Sequence, residues 1–157
     1  MKTFQVTLFV VDDDPRSRKA VAALASSLKL RCETFASAEE FLDRYDPSLI
    51  GCALVDFCLG GMDGLQLQER LQAMGSALSV VLISAYADLS LAVRALKGGA
   101  VAFIEKPYKD DELADAIRKA LERSTHAQHS PFMERGEQTC YVTHRKPETG
   151  RVPRPQP

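Results

Sequence analysis

A chain of 157 residues with 45% hydrophobic content has length for one ordinary domain plus a tail, and enough apolar residues for a buried core. Its net charge of -1 argues against a broad nucleic-acid-binding or membrane-binding surface. No apolar run reaches membrane-spanning length, and Asp12-Asp13-Asp14 cuts the N-terminal run short of a secretory signal. Four cysteines, Cys32, Cys52, Cys58 and Cys140, show no paired spacing, and three lie in or beside apolar runs. Reduced, partly buried thiols in a cytoplasmic protein are expected.

Short apolar runs alternate with longer helical patterns as far as residue 123. The runs predict strands at 7–11, 31–35, 50–55, 79–83 and 101–105. Pro15 opens the first helix, with Ala20, Val21, Leu24 and Leu28 at three- and four-residue steps. Ser37 and Glu40 form a capping-box pattern ahead of Phe41 and Leu42. Asp63 caps a third helix carrying Leu65, Leu67 and Leu71. Asp88 caps a fourth, with Leu89, Ala92, Val93 and Leu96, that ends at Gly98-Gly99. Asp110-Asp111-Glu112 suit the start of a fifth, which carries Leu113, Ile117 and Leu121. Five βα units imply right-handed crossovers and a parallel sheet covered on both faces. The remaining segment, 124–157, holds five of the eight prolines and no helical period, so an extended or disordered tail is expected there.

The chemistry sits at the strand ends. Asp12-Asp13 stands after the first strand, Asp56 after the third, Ser84 after the fourth and Lys106 after the fifth. The C-terminal ends of parallel strands share one sheet edge, where ligands bind. An acidic pocket with one cation and one hydroxyl is expected there, suited to a metal ion and a phosphoryl group. Taken singly, Asp12-Asp13-Asp14 is a solvated N-cap cluster, Asp56 a turn former, Ser84 a turn hydroxyl and Lys106 a surface charge. Their joint occurrence at successive strand ends overturns those readings.

Three segments carry a resemblance: Val11-Asp12-Asp13-Asp14-Pro15, Asp56 with Gly61-Met62-Asp63-Gly64 behind it, and Gly98-Gly99-Ala100-Val101-Ala102-Phe103-Ile104-Glu105-Lys106-Pro107. With these, the chain resembles the receiver domain of two-component response regulators, of the FixJ-like kind, from residue 5 to 123. The resemblance implies an α/β flavodoxin-like (βα)5 fold with a doubly wound five-stranded parallel sheet in the order 2-1-3-4-5. It implies a phospho-accepting signalling protein rather than a classical enzyme, catalysing only its own phosphorylation and dephosphorylation. Asp56 would take a phosphoryl group from a phosphohistidine on a sensor histidine kinase or phosphotransfer protein. Mg²⁺ would be held by Asp12, Asp13, Asp56 and the backbone carbonyl of Cys58, with Asp12 acting mainly through a bound water. That hard ion accepts oxygen ligands in octahedral geometry. Ser84 and Lys106 would each hold a phosphoryl oxygen, and Pro107 would allow a cis bond that aims Lys106. Ser84 and Phe103 would form the switch pair, although Phe103 reads equally as ordinary core. The implied output is protein contact, with a homodimer through the fourth helix, fifth strand and fifth helix, an unnamed downstream target, and no direct nucleic-acid or membrane binding.

The chain departs from that pattern in places. Gly60 stands where relatives usually carry proline and loosens the loop that presents Asp56. Ser84 stands where threonine is commoner. Tyr86 occupies a position that tunes loss of the phosphoryl group, and its bulk is expected to lengthen the phosphorylated lifetime. FixJ-like regulators carry a helix-turn-helix output domain, which the tail pattern does not supply. Two other readings stay open: a receiver that binds its partner without phosphorylation, and a haloacid-dehalogenase-like phosphohydrolase built on Asp12-x-Asp14. The second fits less well, because Arg16 stands where a small hydroxyl or aliphatic residue is needed and Asp56 has no role.

Overall fold

The computed structural model describes residues 6–85, 88–129 and 141–142. Strands and helices alternate as β1 (Thr7–Val11), α1 (Pro15–Ser27), β2 (Arg31–Phe35), α2 (Ala38–Asp43), β3 (Gly51–Asp56), α3 (Gly64–Ala73), β4 (Ser79–Ser84), α4 (Leu89–Lys97), β5 (Ala102–Glu105), α5 (Asp110–His129) and β6 (Tyr141–Val142). Five parallel strands lie in the expected order 2-1-3-4-5, and β6 adds a short parallel strand beyond β5.

The strands alternate cleanly between two apolar layers, as the two-residue period of a sheet requires. Leu8, Val10, Cys52, Leu54, Val81, Ile83, Ala102 and Ile104 pack with Val21 and Ala25 of α1 and with Leu113, Ile117 and Ala120 of α5. Phe9, Val11, Ala53, Val55, Val80, Leu82 and Phe103 pack on the opposite face with residues of α2, α3 and α4. Near-continuous apolar runs in β1, β3 and β4 are what a sheet buried on both faces demands. The edge strand β2 is correspondingly polar.

The caps match the sequence reading. Asp14 accepts from the Arg16 amide, Ser37 from Glu40, Asp63 from Gln66 and Asp88 from Ser90. Two features differ from it. Helix α4 buries Leu91, Ala92 and Ala95, while Leu89 and Val93 are 71% and 43% exposed. Small alanines let the helix approach the sheet closely, which rotates Leu89 and Val93 outward. Helix α5 also continues past the expected boundary at 123. Ser124 is buried there, its hydroxyl accepting from the Gly51 amide at 2.9 Å and donating to the Ala77 carbonyl at 2.8 Å. Thr125 returns its hydroxyl to the Leu121 carbonyl within the helix, while Ser124 ties α5 to the sheet. Residues 130–140 and 143–157 of the expected tail lie outside the described residues.

Candidate functional site

The register sets the site. In β1 and β3 the last aligned pair is Val11 with Val55, so Asp12 and Asp56 end neighbouring strands. Adjacent strands lie about 5 Å apart. The strand order reverses between β1 and β3, which places the two carboxylates at the crevice where doubly wound sheets bind ligands. Ser84 ends β4 opposite Glu105, and Lys106 comes directly after β5. The Lys106 amide donates to the Ser84 carbonyl at 2.8 Å, tying those two strand ends together.

Side-chain geometry converges on Asp56. The Lys106 ammonium donates to Asp56 Oδ2 at 2.8 Å and lies 3.7 Å from Asp12 Oδ2. The other oxygen, Asp56 Oδ1, accepts from the Cys58 amide at 3.0 Å. Both carboxylates are buried, Asp12 at 5% exposure and Asp56 at 7%. Asp12 Oδ1 accepts from the Asp14 amide at 3.0 Å. The Lys106–Pro107 bond is cis, as the resemblance implies.

Burial holds the Asp12 carboxyl above its ordinary value of 3.8. The Asp14 amide opposes that rise, the Asp56 charge adds to it, Lys106 opposes it, and Asp13 adds a smaller push. For Lys106, burial acts to lower the ammonium. The hydrogen bond and charge of Asp56, with the charge of Asp12, outweigh it and raise the group above 10.5. One ammonium therefore faces two buried carboxylates, and the pair stays short of full neutralisation.

Asp13 is exposed, and among the described residues no three carboxylate, imidazole or thiol side chains gather as a ready metal cluster. The donors nonetheless fit a small hard cation. Asp12 and Asp56 supply buried carboxylate oxygens with excess negative charge, the donor type such an ion prefers. The Cys58 thiol is exposed rather than partly buried, while Cys52 is buried and Cys32 intermediate. Ser84 is buried at 1% exposure. Phe103 is buried opposite Leu82, within the cluster that includes Leu91, Ala92 and Ala95 of α4. Tyr86 lies outside the described residues. The hydrolase pair does not form, because Asp14 is exposed and caps α1 while Asp56 holds the lysine.

Three supporting roles escape a reading of the sequence alone. The Arg18 guanidinium donates to the Asp12 carbonyl at 2.7 Å. Basic residues crowding the first turn of α1 oppose the helix dipole, which is the available signal. Gly64 packs bare backbone against the main chain leaving Asp56, and a glycine at the first position of a helix is the hint. Glu39 of α2 accepts from the Met62 amide at 3.0 Å, and nothing local in the sequence announces that contact.

Comparisons with known proteins agree with this geometry. The model of the response regulator receiver domain matches residues 8–118. The response regulator protein TodT of Pseudomonas putida is 38% identical over 114 residues, covering 73% of this chain and 50% of TodT. The transcriptional regulatory protein FixJ of Bradyrhizobium diazoefficiens is 34% identical over 123 residues, covering 78% of this chain and 60% of FixJ. The chain thus spans about half the length of the curated relatives it matches. The solved structure of the response regulator StyR superposes with a TM-score of 0.77 at 36% identity, over 81% of this chain and 64% of that one. Shared strand order, the strand-end residues and these matches place the chain in the response regulator receiver domain family.

Proposed function

We propose that the chain accepts a phosphoryl group on Asp56 from a phosphohistidine of a sensor histidine kinase or phosphotransfer protein. The observation that carries this reading is the pinned carboxylate: Lys106 holds Oδ2 at 2.8 Å and the Cys58 amide holds Oδ1 at 3.0 Å. An Asp56 oxygen attacks phosphorus, the P–N bond breaks, and the imidazole leaves with the bonding pair and takes up a proton. The product is an acyl phosphate on Asp56. Phosphoryl transfer asks a protein mainly for positioning and for stabilisation of charge on the equatorial oxygens. Lys106 supplies one cation for those oxygens, and the Ser84 hydroxyl would supply a hydrogen bond. Mg²⁺ would be held by Asp12 and Asp56, with Asp13 and the Cys58 carbonyl completing the set, and would neutralise the charge that three carboxylates and a phosphoryl group bring together.

Phosphorylation would be read through α4, β5 and α5. Phe103 lies beneath α4, so a movement of Ser84 towards the phosphoryl group and of Phe103 into the vacated space would shift that helix. The exposed Leu89 and Val93 give α4 an apolar face suited to a second copy or a downstream protein. The proposed place of action is the cytoplasm. No helix among the described residues is long and apolar enough to cross a membrane.

Acetyl phosphate with Mg²⁺ tests the proposal by intact mass. A gain of one phosphoryl group that Asp56→Asn abolishes is expected. Partner binding that proceeds unchanged without that gain would favour a phosphorylation-independent receiver.

A further inference from the structure

We propose that Glu39 of α2 is a positioning residue for the acceptor loop, supplying stiffness that the Gly60-Gly61 pair lacks. The inference rests on the phosphoacceptor reading of Asp56. The loop from Phe57 to Asp63 carries the chain from Asp56 into α3. Its ends are fixed: the Cys58 amide donates to Asp56 Oδ1 at 3.0 Å, the Gly64 amide donates to the Phe57 carbonyl at 3.0 Å, and Asp63 and Gln66 cap α3 reciprocally. Its middle holds two adjacent glycines, the residues with most backbone freedom to lose. A Cβ at Gly60 would meet nothing within 4 Å, so packing restrains the loop at Leu59 and Met62, which lie against the core, and not at the glycine between them.

Among the described residues, one hydrogen bond ties the stretch from Leu59 to Met62 to another element. It runs from the Met62 amide to Glu39 Oε2 at 3.0 Å. The neighbouring glycine is shaped to the same carboxylate: a Cβ at Gly61 would lie 2.7 Å from Oε2 and 3.2 Å from Oε1. Bare backbone at 61 therefore leaves room for the exposed Glu39 carboxylate to reach the Met62 amide. A charged acceptor makes this bond stronger than a neutral pair would. Its base is rigid as well, since Ser37 caps α2 and Phe41, at 1% exposure, packs edge-on or tilted against Phe9, Phe35 and Tyr45. Glu39 thus joins the loop behind Asp56 to the aromatic core, touching neither the acceptor nor the donor.

The test is the phosphorylation rate of the full chain with acetyl phosphate and Mg²⁺, monitored by intact mass over a range of donor concentrations. Glu39→Ala should lower the maximal rate about tenfold and leave the half-saturating donor concentration unchanged, because misplacement of a reacting group slows the step itself. Gly60 has no positive φ and open space at its Cβ, and proline is the residue that relatives usually carry there, so Gly60→Pro can stiffen the loop by another route. In the Glu39→Ala background it should return the rate to within about threefold of the native chain, and rates taken well below the urea midpoint of each variant keep this apart from a general loss of stability. Amide exchange at Met62 should quicken in Glu39→Ala and slow again in the double variant. A Glu39→Ala protein that reacts and exchanges like the native chain overturns the positioning role, as does a folded double variant without rescue. A native chain that takes no phosphoryl group at Asp56 removes the phosphoacceptor reading and this inference together.

Discussion

Gly64 stands against the main chain of Asp56: a Cβ there would lie 2.6 Å from the Asp56 carbonyl oxygen and 2.9 Å from Phe57 Cα. The Gly64 amide also donates to the Phe57 carbonyl at 3.0 Å. Both close neighbours are backbone and cannot swing aside as a flexible side chain would. Gly64→Ala should therefore push α3 off the end of β3. The expected loss is about 2 kcal/mol in urea unfolding, the usual scale of overpacking, with slower modification of Asp56 by acetyl phosphate. An unchanged urea midpoint would show that the contact has slack.

Asp12 leads to a second prediction, on stability. Its carboxyl is raised above 3.8 chiefly by burial, so the folded chain holds that proton more tightly than the unfolded chain does. Its contribution is favourable at acid pH and declines as pH rises from 3.8 through the folded value. At neutral pH the buried charge is a burden in metal-free protein. Asp12→Asn keeps an oxygen for the Asp14 amide and removes that charge. It should raise the Tm of the metal-free protein by a few degrees, on the order of 1 kcal/mol. Added Mg²⁺ should raise the Tm of the native chain and leave the variant unmoved. A variant less stable than the native chain in chelator would contradict this account.

The clamp at Glu39 should also be visible in acid. The Met62 amide, and after it the backbone of Glu39 itself, holds the Glu39 carboxyl below its ordinary value of 4.5. For a lowered acid the stabilising bond is fully present above 4.5 and is lost as pH falls through the folded value. The Met62 amide proton shift should accordingly stay level down to pH 4.5 and titrate below it. In Glu39→Gln that step should vanish. A Met62 shift that traces the same curve in both proteins would detach the amide from this carboxylate.

Much of this fold and site is legible in the sequence because strand-end chemistry is a one-dimensional signal. Val10-Val11-Asp12 and Leu54-Val55-Asp56 each mark where a buried run stops and a polar group begins, and parallel order brings those stops together. Helix faces are less legible. Leu89, Ala92, Val93 and Leu96 fit a helical period, yet α4 turns Leu91 and Ala95 inward, since alanine is a poor hydrophobic signal and a good close-packing residue. Contacts between distant segments are silent. Glu39 with Met62, and Arg18 with the Asp12 carbonyl, depend on where elements meet in space. Asp13, expected as a metal ligand, is exposed.

Ser124 is the least legible of all, since it opens the segment whose prolines and missing helical period read as a tail. Its hydroxyl bridges the Gly51 amide and the Ala77 carbonyl, and it is 1% exposed. The bridge fixes α5 to the start of β3, where a Cβ on Gly51 would run into the Thr7 carbonyl oxygen. Ser124→Ala leaves one buried donor and one buried acceptor without this partner. A loss of about 2 kcal/mol is expected in urea unfolding, with faster amide exchange in the last turns of α5. The bridge sits at the N-terminal edge of the sheet, while Asp56 and Lys106 sit at the C-terminal edge. The two effects should therefore separate: Ser124→Ala should accept a phosphoryl group at the native rate under conditions where it remains folded. A slower reaction in the folded variant would mean that α5 carries the bridge's influence across the sheet to Asp56.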